Sequence, residues 1–360
     1  SSLMKVFLAD IAREFAEHVQ ERRGQNARVT RVSAAESCGP GDLVFAENKK
    51  LAQTALASRP SGIVVPASLA SFVGTPEGTG VLIANNARLL HAVVKQRYAD
   101  RVWDDDEDTR IHPSAIIHPD ARVPTSCRIS ANVVIGAGAV LGERCRVLEG
   151  AIIERGAMLG DDCLLHPSAV IGYGCQLGQE VEIGAGSIIG SEGYGFAQDS
   201  RGKSHRIPQT GTVILEDRVR VGANNCIDRA AYGATRIGAG TKTDNLCHIA
   251  HGVDVGEDCL LTAMFCVAGS TKIGNRVMAS GQTGVLGHLT ICDDVGLVHR
   301  AAVLQDIDEP GIYGGLPLQP LQQHLKSSAQ MKKLSDLAKR LRQLEREMQE
   351  LKAGIAVADD

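Results

Sequence analysis

The chain has 360 residues, a formal net charge of −4 and a hydrophobic content of 44%, ordinary for a globular protein. Only 12 residues are aromatic against 39 glycines, so the core rests on Ile, Val, Leu and Ala, which disfavours an aromatic-rich β-sandwich. Modest charge and plentiful aliphatics exclude a disordered chain, no global basic field points to nucleic acid, and no run of about 18 apolar residues offers a membrane span.

Residues 7–18 read as an amphipathic helix, and the start of the chain, with Asp10, Arg13 and Glu14, reads as free of a secretory stretch. Short apolar runs at Gly62–Pro66 and Val81–Ala84 read as strands, and Asn86 can cap a helix running to about Tyr98. These elements predict a small α/β domain over residues 1–105. The acidic run Asp104–Asp108 marks its solvated boundary.

From Ile111 a six-residue step governs the chain. Fourteen consecutive positions, Ile111 through Ile189, are Ile, Val or Leu. The residue four after each is small or β-branched, as at Ala115, Cys127, Val133 and Cys145. The step resumes at Leu215, Val221 and Ile227, and again in a new phase from Ile249 to Val303. Three six-residue faces make an 18-residue coil, the signature of a parallel β-helix over residues 106–308. The aliphatic points into a narrow prism with no room for many rings, and coils stack about 4.8 Å apart. Gly at the next position, as in Ile135-Gly136, suits the turns. The cysteines at 127, 145, 163 and 175 fall on small inward positions. Without a CxxC or a compact framework, the ten cysteines fit reduced thiols in a cytoplasm.

Beyond the repeat, Pro310, Pro317 and Pro320 break regular structure. Residues 309–360 then form a helical extension. Leu334, Leu337, Leu341, Leu344, Met348 and Leu351 make a heptad stripe suited to helix-to-helix contact between subunits. Lys332, Lys333, Lys339, Arg340, Arg342 and Arg346 give the same helix a basic character, read either as a solvated face or as a dock for an acidic partner.

Chemistry is expected at the irregularities. The interruption Gly190–Gly211 carries Tyr194 and Phe196 and reads as a ligand-covering loop. His251 lies two after the inward Ile249, at a corner. His288 lies 37 residues on, close to two coils, which places the pair on neighbouring corners about 10 Å apart. Imidazole is the natural general base near neutral pH, and Asp244 could orient its ring. Zinc held by His248, His251 and His288 is the rival.

The chain resembles the UDP-3-O-acylglucosamine N-acyltransferases of lipid A biosynthesis. The motifs are Gly190-Ser-Glu-Gly-Tyr-Gly-Phe196, Ile227-Asp-Arg-Ala230, Asp244-Asn with Ile249-Ala-His251, Ala268–Gly274, Gly287-His288, and Glu309–Tyr313 with Pro317–Pro320. The resemblance implies a left-handed coil, mainly β, and a homotrimer with active sites between subunits. It implies transfer of an (R)-3-hydroxyacyl chain from acyl carrier protein to the 2-amino group of UDP-3-O-acyl-glucosamine. No cofactor or metal is implied beyond the donor's 4'-phosphopantetheine. His251 matches the general base, Gly269 the backbone oxyanion donor, and His288 a histidine near the nucleotide-sugar phosphates. Phe45 and Asn48 match a uracil site. His248, Tyr194 and Phe196 join the substrate-binding set, and the basic helix gains acyl carrier protein as its partner. The implied location is the cytoplasm, with peripheral contact to the inner membrane as a variant. The alternatives are another nucleotide-linked amino sugar as acceptor, or a zinc hydratase on the same scaffold. Departures from the family pattern are Leu51 in place of an aromatic, His248 in place of Gln, Gly252 in place of Asn, and Gln305 in place of a basic residue. Met264-Phe265-Cys266 stands where small residues are usual, so it is expected to narrow or re-aim the acyl or pantetheine channel.

Overall fold

The computed structural model describes residues 4–100, 110–314 and 321–358. The chain divides into two compact units, residues 1–106 and 107–360. The acidic run at 104–108, Pro317, Pro320 and the side chain of Leu351 lie outside the described residues.

The first unit is built on a five-stranded sheet in the order Val19–Arg23, Gly80–Ala84, Gly62–Pro66, Asp42–Phe45, Arg31–Ser33. Only the Val19–Arg23 edge runs antiparallel. Successive side chains of a strand point to opposite faces. Leu43, Val64 and Leu82 therefore join one core with Leu8, Ile11, Leu90 and Val94, while Val44, Ile63 and Val81 join the other with Ala52 and Ala55. Both faces are covered, as a parallel sheet demands. Asn86 caps the helix Ala87–Tyr98 as expected, accepting from the Leu89 amide at 3.0 Å. The first helix is shorter than expected, Leu8–Glu14, because the chain turns at Phe15 and pairs Val19–Arg23 with the sheet.

The second unit is the left-handed parallel β-helix that the hexapeptide period and the resemblance predict. Its three parallel sheets have ten, eight and ten strands, mostly two residues long. Register repeats every 18 residues, as in Val134↔Ile152 and Ile135↔Ile153. The inward aliphatics and the small corner residues form one buried column from Cys127 to Ile307. Corner thiols also donate along that column: Cys127, Cys145 and Cys163 reach the carbonyls of Gly142, Gly160 and Gly178 at 3.1–3.2 Å.

The glycines after the inward aliphatic serve a different purpose from the turn role expected of them. A Cβ on Gly136 would stand 2.7 Å from the Arg155 amide, so this position is glycine because the next coil passes close by. The left-handed residue falls two places later, at Gly138, Arg144 and Asp162 and onward around the coil.

The repeat is broken after the strand Ile188–Ser191 by an excursion holding the hairpin Phe196–Gln198 and Ser204–Arg206. It is broken again between the strands Cys226–Asp228 and Ala234–Ile237. Two helices follow the coil, Leu321–Met331 and Leu334–Ala358.

Candidate active site

His251 follows the two-residue strand His248–Ile249 and sits half-buried in the corner beyond it. Its ring lies against Gly269, one coil on. A Cβ there would stand 2.6 Å from Nε2 and 2.8 Å from Cε1 of the ring. The residue one coil further is again glycine, Gly287, whose Cβ would meet the Gly269 carbonyl at 2.9 Å.

This second glycine has an electrostatic effect. At the same corner position elsewhere, a side chain one coil on caps the backbone amide. Asp161 accepts from Glu143, Asn275 from Glu257, and Asp293 from Asn275, each at 2.8 Å. Gly287 has no such side chain. The Gly269 amide accordingly donates to no protein acceptor among the described residues, and it belongs to the residue on which the His251 ring packs. A free amide next to a general base is the arrangement an oxyanion intermediate requires.

Asp244 does not orient His251. Its carboxylate accepts from the Asn245 and Ala263 amides at 2.7 and 3.1 Å, which ties two turns together. The carboxylate facing the histidines is Asp228, which sequence reasoning gave no role. Its Oδ1 accepts from Ser191 Oγ at 2.7 Å, and its Oδ2 is 3.6 Å from His248 Nε2. Burial pushes its carboxyl above the usual range, while the Ser191 bond and the charges of His248 and His251 pull it back. The signal for it was strand register: Ile227 pairs with Ile249, so the residue after Ile227 shares a face with the His251 corner.

The Gly190–Gly211 excursion packs on His251, as a covering loop should. A Cβ on Gly193 would stand 2.6 Å from His251 Cβ. Arg229, 2% exposed, fastens both ends of this loop from within. Its Nε donates to the Gly190 carbonyl at 2.9 Å, one terminal nitrogen to Gly211 at 3.0 Å and the other to Tyr173 at 3.1 Å. Its guanidinium carbon lies 3.5 Å from the Tyr173 ring centre, a cation–π contact. The proposed ligand residues Tyr194 and Phe196 are exposed on the loop with ring centres 5.0 Å apart.

His248 is exposed on the outer face and His288 is exposed at a left-handed backbone position. The His288 amide donates to the Gly269 carbonyl at 3.0 Å, so His251 and His288 lie along one edge two coils apart, as their spacing predicts. Among the described residues no three His, Cys, Asp or Glu side chains of one chain converge as a metal-ligand set.

Phe265 corrects another expectation. It is fully buried inside the prism and lines no channel. It stands four after Leu261, in the corner column, where the prism accepts one large ring. Met264 and Cys266 are exposed, and Cys266 pairs in register with His248.

In the first unit, Phe45 stacks on His91 with ring centres 4.4 Å apart and planes 23° apart. Burial pushes the His91 pKa down, with Lys95 adding to it, which favours the neutral ring. Asn48 caps the helix Lys49–Ala57, its Oδ1 accepting from the Leu51 amide at 3.0 Å. That leaves its Nδ2 as the group free to meet a base. Leu51 packs against the core instead of standing out as a second stacking surface. Of the six named basic residues, all exposed, Lys332 and Lys333 lie in the turn before the last helix and the other four on it, and the stripe Leu334, Leu337, Leu341, Leu344, Met348 is 55–59% exposed within the single chain.

The family model for UDP-3-O-(3-hydroxymyristoyl) glucosamine N-acyltransferase, LpxD, matches residues 26–97, and one for the GMPPB C-terminal domain matches residues 111–194. The UDP-3-O-acylglucosamine N-acyltransferase of Methylococcus capsulatus is 49% identical over 350 residues, 97% of this chain and 99% of that protein. The enzyme of the same name from Cupriavidus taiwanensis is 37% identical over 340 residues, 92% of this chain and 93% of its own. Among solved structures, a UDP-N-acetylglucosamine acyltransferase from Campylobacter jejuni aligns at 22% identity and a TM-score of 0.43, covering 57% of this chain and 71% of that one. With two near full-length relatives of one name, the chain belongs to the UDP-3-O-acylglucosamine N-acyltransferase family.

Proposed function

We propose that the protein transfers an (R)-3-hydroxyacyl chain from acyl carrier protein to the 2-amino group of UDP-3-O-acyl-glucosamine. The observation that carries the reading is the His251 ring packed on Gly269, a residue whose amide donates to no acceptor among the described residues. The amine attacks the thioester carbonyl, forming the C–N bond, while Nε2 takes the amine proton. The oxyanion is held by the Gly269 amide. The C–S bond then breaks, and the proton on His251 passes to the departing pantetheine sulfur. No further cofactor is needed. Asp228 and His248 set the field around the imidazolium, and His288, one coil beyond Gly269, is suited to the sugar phosphates. Phe45 and Asn48 are assigned to the uracil, and Tyr194 and Phe196 to the acyl or sugar moiety.

The working unit is a homotrimer. Support comes from the outer face of the sheet that carries His248. The outward residue before each inward aliphatic runs Ile116, Val134, Ile152, Val170, Ile188, Cys226, His248, Cys266, Gly284 and Ala302, none of them Asp, Glu, Lys or Arg, and the one charge its strands add is the buried Asp228. The other two sheets interleave charges there, as at Arg146, Glu182 and Lys242, or Arg236, Asp254 and Lys272. The basic stretch from Lys332 to Arg346, the turn before the last helix and the start of that helix, suits the acidic surface of an acyl carrier protein. Among the described residues no helix is long and apolar enough to cross a membrane, in keeping with action in the cytoplasm or at the inner-membrane surface.

The test is thiol release from (R)-3-hydroxyacyl carrier proteins of several chain lengths, with UDP-3-O-acyl-glucosamine as acceptor. Transfer is expected, with His251→Ala losing most of kcat while still binding the acceptor. Unchanged turnover in that variant removes His251 as base.

A further inference from the structure

Two buried side-chain polar atoms lack a hydrogen-bond partner among the described residues: His251 Nδ1 and Gln209 Oε1. Leaving such a group unpaired costs about 1–3 kcal/mol. The two flank the same glycine. A Cβ on Gly193 would stand 3.1 Å from His251 Cγ and 2.9 Å from Gln209 Oε1. The absence of a side chain there leaves the space between them open.

Their chemistry is complementary. An imidazole protonated on Nδ1 is a donor there, and an amide oxygen is an acceptor only. The amide cannot be turned round without loss, because Gln209 Nε2 donates to the Ile207 carbonyl at 2.9 Å. Gln209 is 4% exposed and lies two residues before Gly211, where Arg229 fastens the loop. Other orienting groups are engaged or missing. Asp244 caps two turns, Asp228 holds Ser191 and faces His248, and Gly252, next to His251, has no side chain.

We propose that Gln209 is the positioning residue of His251: its Oε1 accepts Nδ1–H, which fixes the tautomer that leaves the Nε2 lone pair free beside Gly269. The proposal rests on the acyl-transfer reading above. The titratable groups around the pair are Asp228, which acts on the His251 ring, His248 beside Asp228, and on the loop Glu192, which is paired with Arg206 and accepts from the Gln209 amide; all remain in every variant below.

The experiment compares Gln209→Leu, Gln209→Glu and His251→Ala in the full chain. It measures kcat and KM against pH, and titrates the His251 ring by NMR of histidine-labelled protein, with His251→Ala identifying its resonance. Gln209→Leu should lower kcat about 10- to 100-fold with KM little changed, as loss of an orienting partner does. Gln209→Glu should recover much of kcat. Its carboxylate should also raise both the acidic limb of the kcat profile and the His251 titration by about one pH unit. Wild-type kcat in Gln209→Leu, or an unmoved His251 titration in Gln209→Glu, overturns the proposal. Absence of acyl transfer in the unaltered protein would instead overturn the reaction assigned to it. In that case the His251 titration alone decides the pairing.

Discussion

Gly269→Ala isolates the packing of the catalytic ring. The backbone there is not left-handed, so alanine carries no conformational penalty. The added methyl would stand 2.6 Å from His251 Nε2, whereas an ordinary contact begins near 3.4 Å. The ring must retreat by most of an ångström, since the turn is pinned by Ser270 donating to the His251 carbonyl and His288 to the Gly269 carbonyl, each at 3.0 Å. A misplacement of about 1 Å costs roughly 100-fold in rate. The expected loss in kcat is therefore about 30- to 100-fold, or about 2–3 kcal/mol of transition-state stabilisation. The melting temperature should move little, because the methyl enters a half-open corner outside the core. Thiol release at saturating acceptor measures kcat, and calorimetry measures the melting temperature. A variant within about threefold of wild-type kcat, equally stable, would refute the placement of Nε2 against this glycine.

Arg229→Met should leave the Gly190, Gly211 and Tyr173 carbonyls without their cationic donor. Hydrogen bonds to a charged group contribute about 1.5–3 kcal/mol each, so urea unfolding should report a loss of at least about 3 kcal/mol. Proteolysis within residues 190–211 should accelerate, and an unchanged urea midpoint would contradict the fastening role. Phe265→Ala should cost about 3–5 kcal/mol in stability and leave donor chain-length preference alone. A changed preference without destabilisation would return Phe265 to the channel. Asp228 is a carboxylate held above its ordinary range chiefly by burial, so its ionised form is the costly one in the folded protein. Asp228→Asn should raise the melting temperature at neutral pH. The gain should fade as pH falls toward the ordinary carboxylate value of 3.8, where Asp228 is protonated in both folded and unfolded chains. A gain that grew on acidification would reverse the sign of that argument.

The coil was legible because its physics is periodic. One aliphatic every six residues and a small corner residue four later determine which side chains enter the prism. The same frame contained the answer for Phe265, four after Leu261, although a resemblance-based reading placed it in a channel. His251 and the covering loop were legible as irregularities, and Gly269 only through the resemblance. What the linear order hid was pairing across the broken coils. Twenty-two residues separate Ile227 from Ile249, not 18, so the partnership of Asp228 with His248 appears only in the strand register. Asp244 was the nearer carboxylate in sequence, but its geometry suits turn amides. The openness of the Gly269 amide depends on a glycine 18 residues later, and the buried role of Arg229 depends on carbonyls 18 to 56 residues away.

Each coil makes its backbone bonds to the coil before and the coil after, so the prism behaves as a one-dimensional stack. No residue assigned to the His251 site lies between Ile111 and Leu165. Those early turns act as a spacer, and their number sets a length without touching reactivity. Excising residues 129–146, one complete 18-residue turn, would join like to like at every face. It would shorten the stack by about 4.8 Å and leave the catalytic corner as it was. In this scaffold reach and chemistry are separate dimensions, adjustable one coil at a time.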